Sequence, residues 1–198
     1  MSGQLSTTFE MANVTLTSEQ KVYRSRSLSG KRLARLGEYQ VWRLKCRFNV
    51  LSRSEIGTLM GFLVDQRGGY ETFTIKPKGL DTPAGNWGTI TVSSVTDDNT
   101  LVMTGFGTSD SDAVKAGDVF TIAGDTKVYM ITADAASDGS NNATVSFQPS
   151  LVVTPSGGEA VTHTAVAFTV ELDDTRVSFS RSGLLYDGFT IDLVEALA

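Results

Sequence analysis

Val41-Trp42-Arg43-Leu44-Lys45-Cys46-Arg47-Phe48 sets Trp42, Leu44, Cys46 and Phe48 on one side of an extended chain and Arg43, Lys45 and Arg47 on the other. A period of two marks a strand with one dry and one wetted face. Ser52-Arg53-Ser54-Glu55 follows, and its first and fourth residues can satisfy each other's amides as a capping box. The pattern therefore predicts a helix over about residues 52–67. Ile56, Leu59, Met60 and Leu63 give that helix an apolar stripe, and Gly68-Gly69 supplies the backbone freedom to end it. Tyr70 to Lys76 is extended again, with Phe73 and Ile75 on one side, until Pro77 stops it.

Downstream of Pro77 the text turns rich in Gly, Ser, Thr and Asp. Short alternating runs appear at Thr89 to Val95, Thr100 to Phe106, Asp118 to Ala123, Lys127 to Ala133, Ala143 to Phe147 and Glu159 to Thr164. Asp97-Asp98-Asn99, Ala123-Gly124-Asp125, Ser137 to Asn142 and Ser156-Gly157-Gly158 separate them with turn chemistry. Short strands with frequent turns predict a small barrel or sandwich without a helix. The tail returns to the opening style. Phe168, Val170 and Leu172 alternate with polar residues, Val177 and Phe179 do so across an Asp173-Asp174 turn as an expected hairpin, and Phe189, Ile191 and Leu193 make a last strand.

Such tail strands cannot stand alone. They complete a sheet begun by residues 12–77. The expected fold is thus mainly β: a core domain of residues 1–80 and 167–198 with one α-helix, built from both chain ends, and a small inserted β-barrel over 81–166. Upstream, residues 1–11 read as a flexible or assembly-dependent arm, and Asn13 to Thr17 as a first strand. Lys21 to Leu36 is basic, with Arg24, Arg26, Arg32 and Arg35 among Leu28, Leu33 and Leu36. A nucleic-acid groove needs aromatic platforms beside such charge. Only Tyr23 is near, so an exposed loop or hairpin against a neighbouring subunit is expected instead.

At 198 residues, 40% hydrophobic and 20% charged, the chain can bury a sizeable core. No apolar run reaches the roughly 18 residues of a membrane span, and no secretion signal opens it, so a cytosolic origin without membrane insertion is expected. The charge is segregated. Residues 1–80 hold thirteen Lys or Arg and six acids, and the rest four and sixteen, or +7 against −12. The split fits either head-to-tail contact between copies or a salt-bridged monomer.

Motifs for chemistry are few. Cys46, the one cysteine, falls on a dry strand face as a small hydrophobe, and His163 is the one histidine. There is no P-loop, dinucleotide fingerprint or nucleophile elbow. Asp134 to Gly139 has the wrong spacing for a calcium loop, and Asp97-Asp98 and Asp173-Asp174 are turn acids. Asn13-Val14-Thr15 and Asn142-Ala143-Thr144 match the glycosylation pattern but carry no meaning without a secretory route. Trp87 suits an aromatic lid or a sugar platform. A two-acid hydrolase using Asp118 and Asp125 lacks an apolar pocket to raise either pKa. No catalytic residue, cofactor or metal site is expected.

In layout, and in Ala116-Gly117-Asp118-Val119-Phe120-Thr121-Ile122-Ala123-Gly124 with Val128-Tyr129-Met130-Ile131, the chain resembles the distal tail protein family of long-tailed (siphovirus) bacteriophages. The resemblance implies an OB-like inserted barrel and a structural, non-enzymatic role at the virion's tail tip, assembled in the host cytoplasm. It implies a homo-oligomer, a hexameric ring, joining the tail tube protein to the baseplate hub and tail fibre proteins. Two alternatives belong to other classes: a carbohydrate-binding module holding host surface saccharide through Trp87, Tyr129 or Phe106, and a tail tube or tube-completion protein.

Overall fold

The computed structural model describes residues 3–6, 9, 11–49, 51–80, 82–178 and 189–197. In chain order the elements are β1 (Met11–Arg26), β2 (Arg32–Phe48), α1 (Arg53–Asp65), β3 (Phe73–Ile75), β4 (Thr91–Asp97), β5 (Thr100–Thr104), β6 (Val119–Ile122), β7 (Tyr129–Ile131), β8 (Asn142–Gln148), β9 (Val161–Thr162), β10 (Phe168–Leu172) and β11 (Thr190–Glu195). The protein is mainly β, with one helix among the described residues. The chain divides into two compact units, Met1–Thr74 with Val170–Ala196 and Ile75–Thr169 with Leu197–Ala198.

In the first unit the quoted stretch is the second half of β2, and Trp42, Leu44, Cys46 and Phe48 are buried as its alternation requires. β1 runs antiparallel along it and β11 pairs on its other side, with Leu193 opposite Leu44 and Ile191 opposite Cys46. The sheet order is β1-β2-β11-β10-β3. Helix α1 begins on the expected box: the Glu55 amide donates to Ser52 Oγ at 3.3 Å, and the Ser52 amide donates to Glu55 Oε2 at 2.8 Å. The Ser52 hydroxyl, then its amide, holds the Glu55 carboxyl below its ordinary value. Ile56, Leu59 and Leu63 are buried, Met60 is half-buried, and Phe62 meets Phe73 edge-on at 5.2 Å. The helix stops at Gln66, and Gly69 (φ 89°) passes so close to Leu172 that a Cβ would lie 2.6 Å from its carbonyl oxygen.

Three expectations need correction in this unit. The N-terminal segment is not a free arm where it is described: the Leu5 amide donates to the Thr74 carbonyl at 2.9 Å, and Leu5 and Phe9 are buried, with Phe9 edge-on to Phe48. Two apolar side chains suffice to dock it. The expected tail hairpin does not form on β10, because β11 and β3 occupy both of its edges and residues 173–178 are not strand. Phe179, the hairpin's second apolar residue, lies outside the described residues. Thr169, on a polar position of the tail pattern, is buried; so is Glu195, which follows Ile191 and Leu193 on the dry side of β11 and accepts from the Trp42 amide at 3.1 Å (Oε2).

The second unit is one antiparallel sheet in the order β4-β5-β8-β7-β6-β9, each strand falling on one of the six alternating runs. It curls back on itself. The Val92 amide donates to Glu159 O (2.9 Å), the Gly158 amide to Val92 O (2.7 Å) and the Val161 amide to Ile90 O (2.9 Å), joining the last strand to the first. Inside lie Leu101, Met103, Phe120, Tyr129, Val145 and Phe147 with their buried neighbours.

Candidate interaction surfaces

β11 accompanies β2 only from Arg43 to Arg47, so Val22 to Leu36 forms a two-stranded arm beyond the sheet. At its base the register jumps from Gln20 opposite Gln40 to Val22 opposite Leu36. Three residues of β2 bulge there against Lys21, and Gly37 fits only because a Cβ would lie 2.7 Å from the Lys21 carbonyl oxygen. At the tip the Ser27 amide donates to Lys31 O (3.0 Å) and the Lys31 amide to Ser27 Oγ (3.1 Å). The arm leaves large apolar groups exposed: Tyr23 is 55% exposed, Leu33 52%, Leu36 61% and Leu28 fully so. Lys21, Arg24, Arg26, Lys31, Arg32 and Arg35 stand exposed among them. Tyr23 carries Lys21 Nζ 5.2 Å from its ring centre, and both line a groove of about 410 Å³ with Arg35, Leu36, Gly37 and Tyr39. The hairpin expected between residues 21 and 36 is thus present, longer and more regular than the text suggested.

The charge split is redistributed by the fold. Arg43, on the wet face of β2, pairs with Glu19 and, at 2.6 Å, with Asp173, while Lys45 lies 3.3 Å from Asp192. Asp173, then Glu19, raises the Arg43 pKa. The acids of the tail so balance the bases of the opening, and the first unit carries thirteen Lys or Arg against twelve acids. The second unit keeps its excess, ten acids to four bases, of which Lys127 is buried and Lys115 sits between Asp112 (2.6 Å) and Asp134 (3.1 Å). Asp112 and Asp134 are held below the ordinary carboxylate range, Asp112 by Lys115 and Asp134 first by the Ala116 amide. Asp138 is lowered likewise by the amides of Asn142 and Ser140, so it serves its turn.

One end of the second unit combines this negative charge with apolar surface. The exposed Asp97-Asp98 turn holds the loop after β8, whose Leu151 amide donates to Asp98 O at 2.8 Å. Leu151 packs on the core, the Val152 amide donates to Tyr129 Oη (3.1 Å), and the Tyr129 hydroxyl donates to Asp125 (2.5 Å). Val152 and Val153 are left 54% and 51% exposed.

The residues flagged for chemistry are taken up by structure. Asp118 is buried and accepts from the amides of Ala84 (2.7 Å), Gly85 (3.1 Å) and Lys115 (3.3 Å) and from Trp87 Nε1 (2.8 Å), pinning the strand-entry loop. Sequence gave no sign of this hub beyond an acid beside Val119-Phe120. Asp125, its supposed partner, serves Tyr129 and the Lys127 amide instead. Trp87 is half-buried, stacked on His163 at 5.0 Å and in contact with Phe106 and Phe120. The Gly88 carbonyl can only accept, so His163 Nε2 donates to it (2.9 Å), and Nδ1 is within hydrogen-bond distance of the Thr164 hydroxyl (3.1 Å). Tyr129 and Phe106 are buried, so neither presents an open ring face to a saccharide. Cys46 is fully buried, its thiol pushed up to about 12 by burial and then by Asp192. Among the described residues no three His, Cys, Asp or Glu side chains gather as metal ligands, and no helix is long and apolar enough to cross a membrane.

A comparison with curated proteins finds no match. Residues 81–166, nearly the whole of the second unit, match the family model "Distal tail protein pb9, B domain". That match, in a β-rich chain with a closed sheet in the matched segment, supports a phage distal tail protein family and a structural role in the viral tail.

Proposed function

We infer that the protein is a ring-forming subunit of the phage tail tip, with the first unit making the ring and the second mounted on it. The ring is a homo-oligomer, a hexamer, that joins the tail tube protein to the baseplate hub and tail fibre proteins. The observation that carries this reading is the β1–β2 arm. Among the described residues the outer edge of β1 has no strand beside it, and the arm exposes Tyr23, Leu28 and Leu33. Open edges and exposed apolar patches are surfaces that ask for a protein partner. A ring needs a heterologous contact, two different patches repeated around an axis. The inserted unit is read as an OB-like barrel. Mass measurement across a concentration series, with end-on images of tail tips, tests the reading. Discrete rings at the tip are expected. Monomers at every concentration, with the protein missing from tail tips, would overturn it.

A further inference from the structure

We propose that the Asp97, Asp98, Val152 and Val153 end of the second unit seats a second protein, which enters it with a cationic segment carrying aliphatic side chains between its Lys or Arg residues. The proposal rests on the reading that the first unit makes the ring, which leaves this end to something other than a neighbouring copy. Val152 and Val153 stand about half exposed on the loop after β8, beside the exposed Asp97 and Asp98, and neither aspartate makes an ion pair among the described residues. The loop keeps its shape without a partner. Ser150 Oγ donates to Asn99 Oδ1 at 3.0 Å, the Leu151 amide to Asp98 O at 2.8 Å and the Val152 amide to Tyr129 Oη at 3.1 Å. An end ordered in advance loses little freedom on binding.

Charge gives the occupant its sign and its source. The second unit holds ten acids to four bases, of which Lys127 is buried and Lys115 is taken by Asp112 and Asp134. The first unit nearly balances, thirteen bases against twelve acids, so another copy of this chain, at net −5, brings no surplus of positive charge to meet that excess. Opposite charge steers a basic protein to this end and turns away nucleic acid and anionic lipid, which share the sign of the surface. A saccharide would need an open aromatic face, and Tyr129 beneath the loop is buried. Two valines make a small anchor, so one segment binds weakly. A ring carrying one such end per copy multiplies weak contacts through avidity.

Full-length protein labelled at valine methyls, titrated with a soluble peptide of alternating Leu and Lys and with Leu-Glu and Ser-Lys control peptides, tests this. The Leu-Lys peptide is expected to move the Val152 and Val153 resonances and to leave that of the buried Val145 in place. Asp97→Asn with Asp98→Lys keeps an acceptor for the Asn99 amide and is expected to weaken binding about tenfold or more, as is Val152→Ser with Val153→Ser, both read by anisotropy of labelled peptide. In tail tips carrying the charge pair, the ring is expected to remain and a basic protein to be lost. Equal binding of the Ser-Lys peptide, shifts away from this end, no shift, or tips of unchanged composition overturn the proposal. An oligomer mass that changes with the charge pair also overturns it, because copies of this chain would then fill the end. A parent chain that stays monomeric at every concentration yet binds the Leu-Lys peptide at Val152 and Val153 overturns the ring reading and supports the site.

Discussion

Leu44 of β2 lies directly opposite Leu193 of β11, both 1% exposed, so the first unit's sheet is stitched from strands at the two ends of the chain. Their side chains share the dry face with Cys46 and Ile191. Truncating either leucine removes burial and leaves a cavity that a close-packed sheet cannot fill, at a cost of about 2–5 kcal/mol. Leu44→Ala and Leu193→Ala should each lower the first unit's denaturation midpoint. Because the residues touch, the double variant should cost less or more than the simple sum, by about 0.5–3 kcal/mol of coupling. Equilibrium denaturation followed by Trp42 and by second-unit probes checks both points.

The Ser52 cap is a second test, with a pH signature. Ser52→Ala removes the acceptor for the Glu55 amide and should cost about 1 kcal/mol. In the folded chain the Glu55 carboxyl titrates below its ordinary 4.5, chiefly because of Ser52. A depressed carboxyl contributes stability above the unfolded value and loses it as pH falls through the folded one. The difference between the parent and Ser52→Ala should therefore be full at pH 7 and shrink below pH 4.5, as read by urea titrations at a series of pH values.

What could be read in advance follows from where the signals are local. The cap at Ser52, the Ile56-Leu59-Leu63 stripe and the six strands between Thr91 and Thr162 each rest on a few adjacent residues and their bounding turns. Strand partners do not. Alternation at Phe168 to Leu172 shows which side is dry but not which strands flank it, so the neighbouring Arg176-Val177-Ser178 looked like a partner when β11 and β3 are. The arm was only half legible because alternation reports burial, and Lys21 to Arg26 has no buried face to report. Asp118 was missed for a related reason. Lys115 is only three residues away, but its other donors come from Ala84, Gly85 and Trp87, and no short spacing announces a hub assembled from two distant stretches of chain.

That hub predicts a large effect from a small change. Asp118→Ala leaves the amides of Ala84, Gly85 and Lys115 and the Trp87 indole without their acceptor in a buried setting. Unsatisfied buried donors cost about 1–3 kcal/mol apiece, so the second unit should lose roughly 3 kcal/mol or more after some donors find water. Asp118→Asn should lie between, since its amide nitrogen cannot accept. In a ¹⁵N-labelled sample the Trp87 indole N–H resonance should move in both variants while that of Trp42 stays.

Cys46 gives the last test, one that separates opening of the first unit from everything else. Burial, then the charge of Asp192, pushes its thiol up to about 12 from an ordinary 9. A thiol raised in this way contributes stability that is complete below the unfolded value and is lost as pH rises through the folded one. Between pH 9 and 12 the first unit should weaken by up to about 1.4 kcal/mol per pH unit. At pH 8 the native thiol should be inert to a disulfide reagent, because attack needs an accessible thiolate. Labelling should then track unfolding of the first unit, and Asp192→Asn should leave that protection in place because burial is the larger cause. Rapid labelling of native protein at pH 8, before any change in circular dichroism, would contradict a Cys46 sealed between β1 and β11.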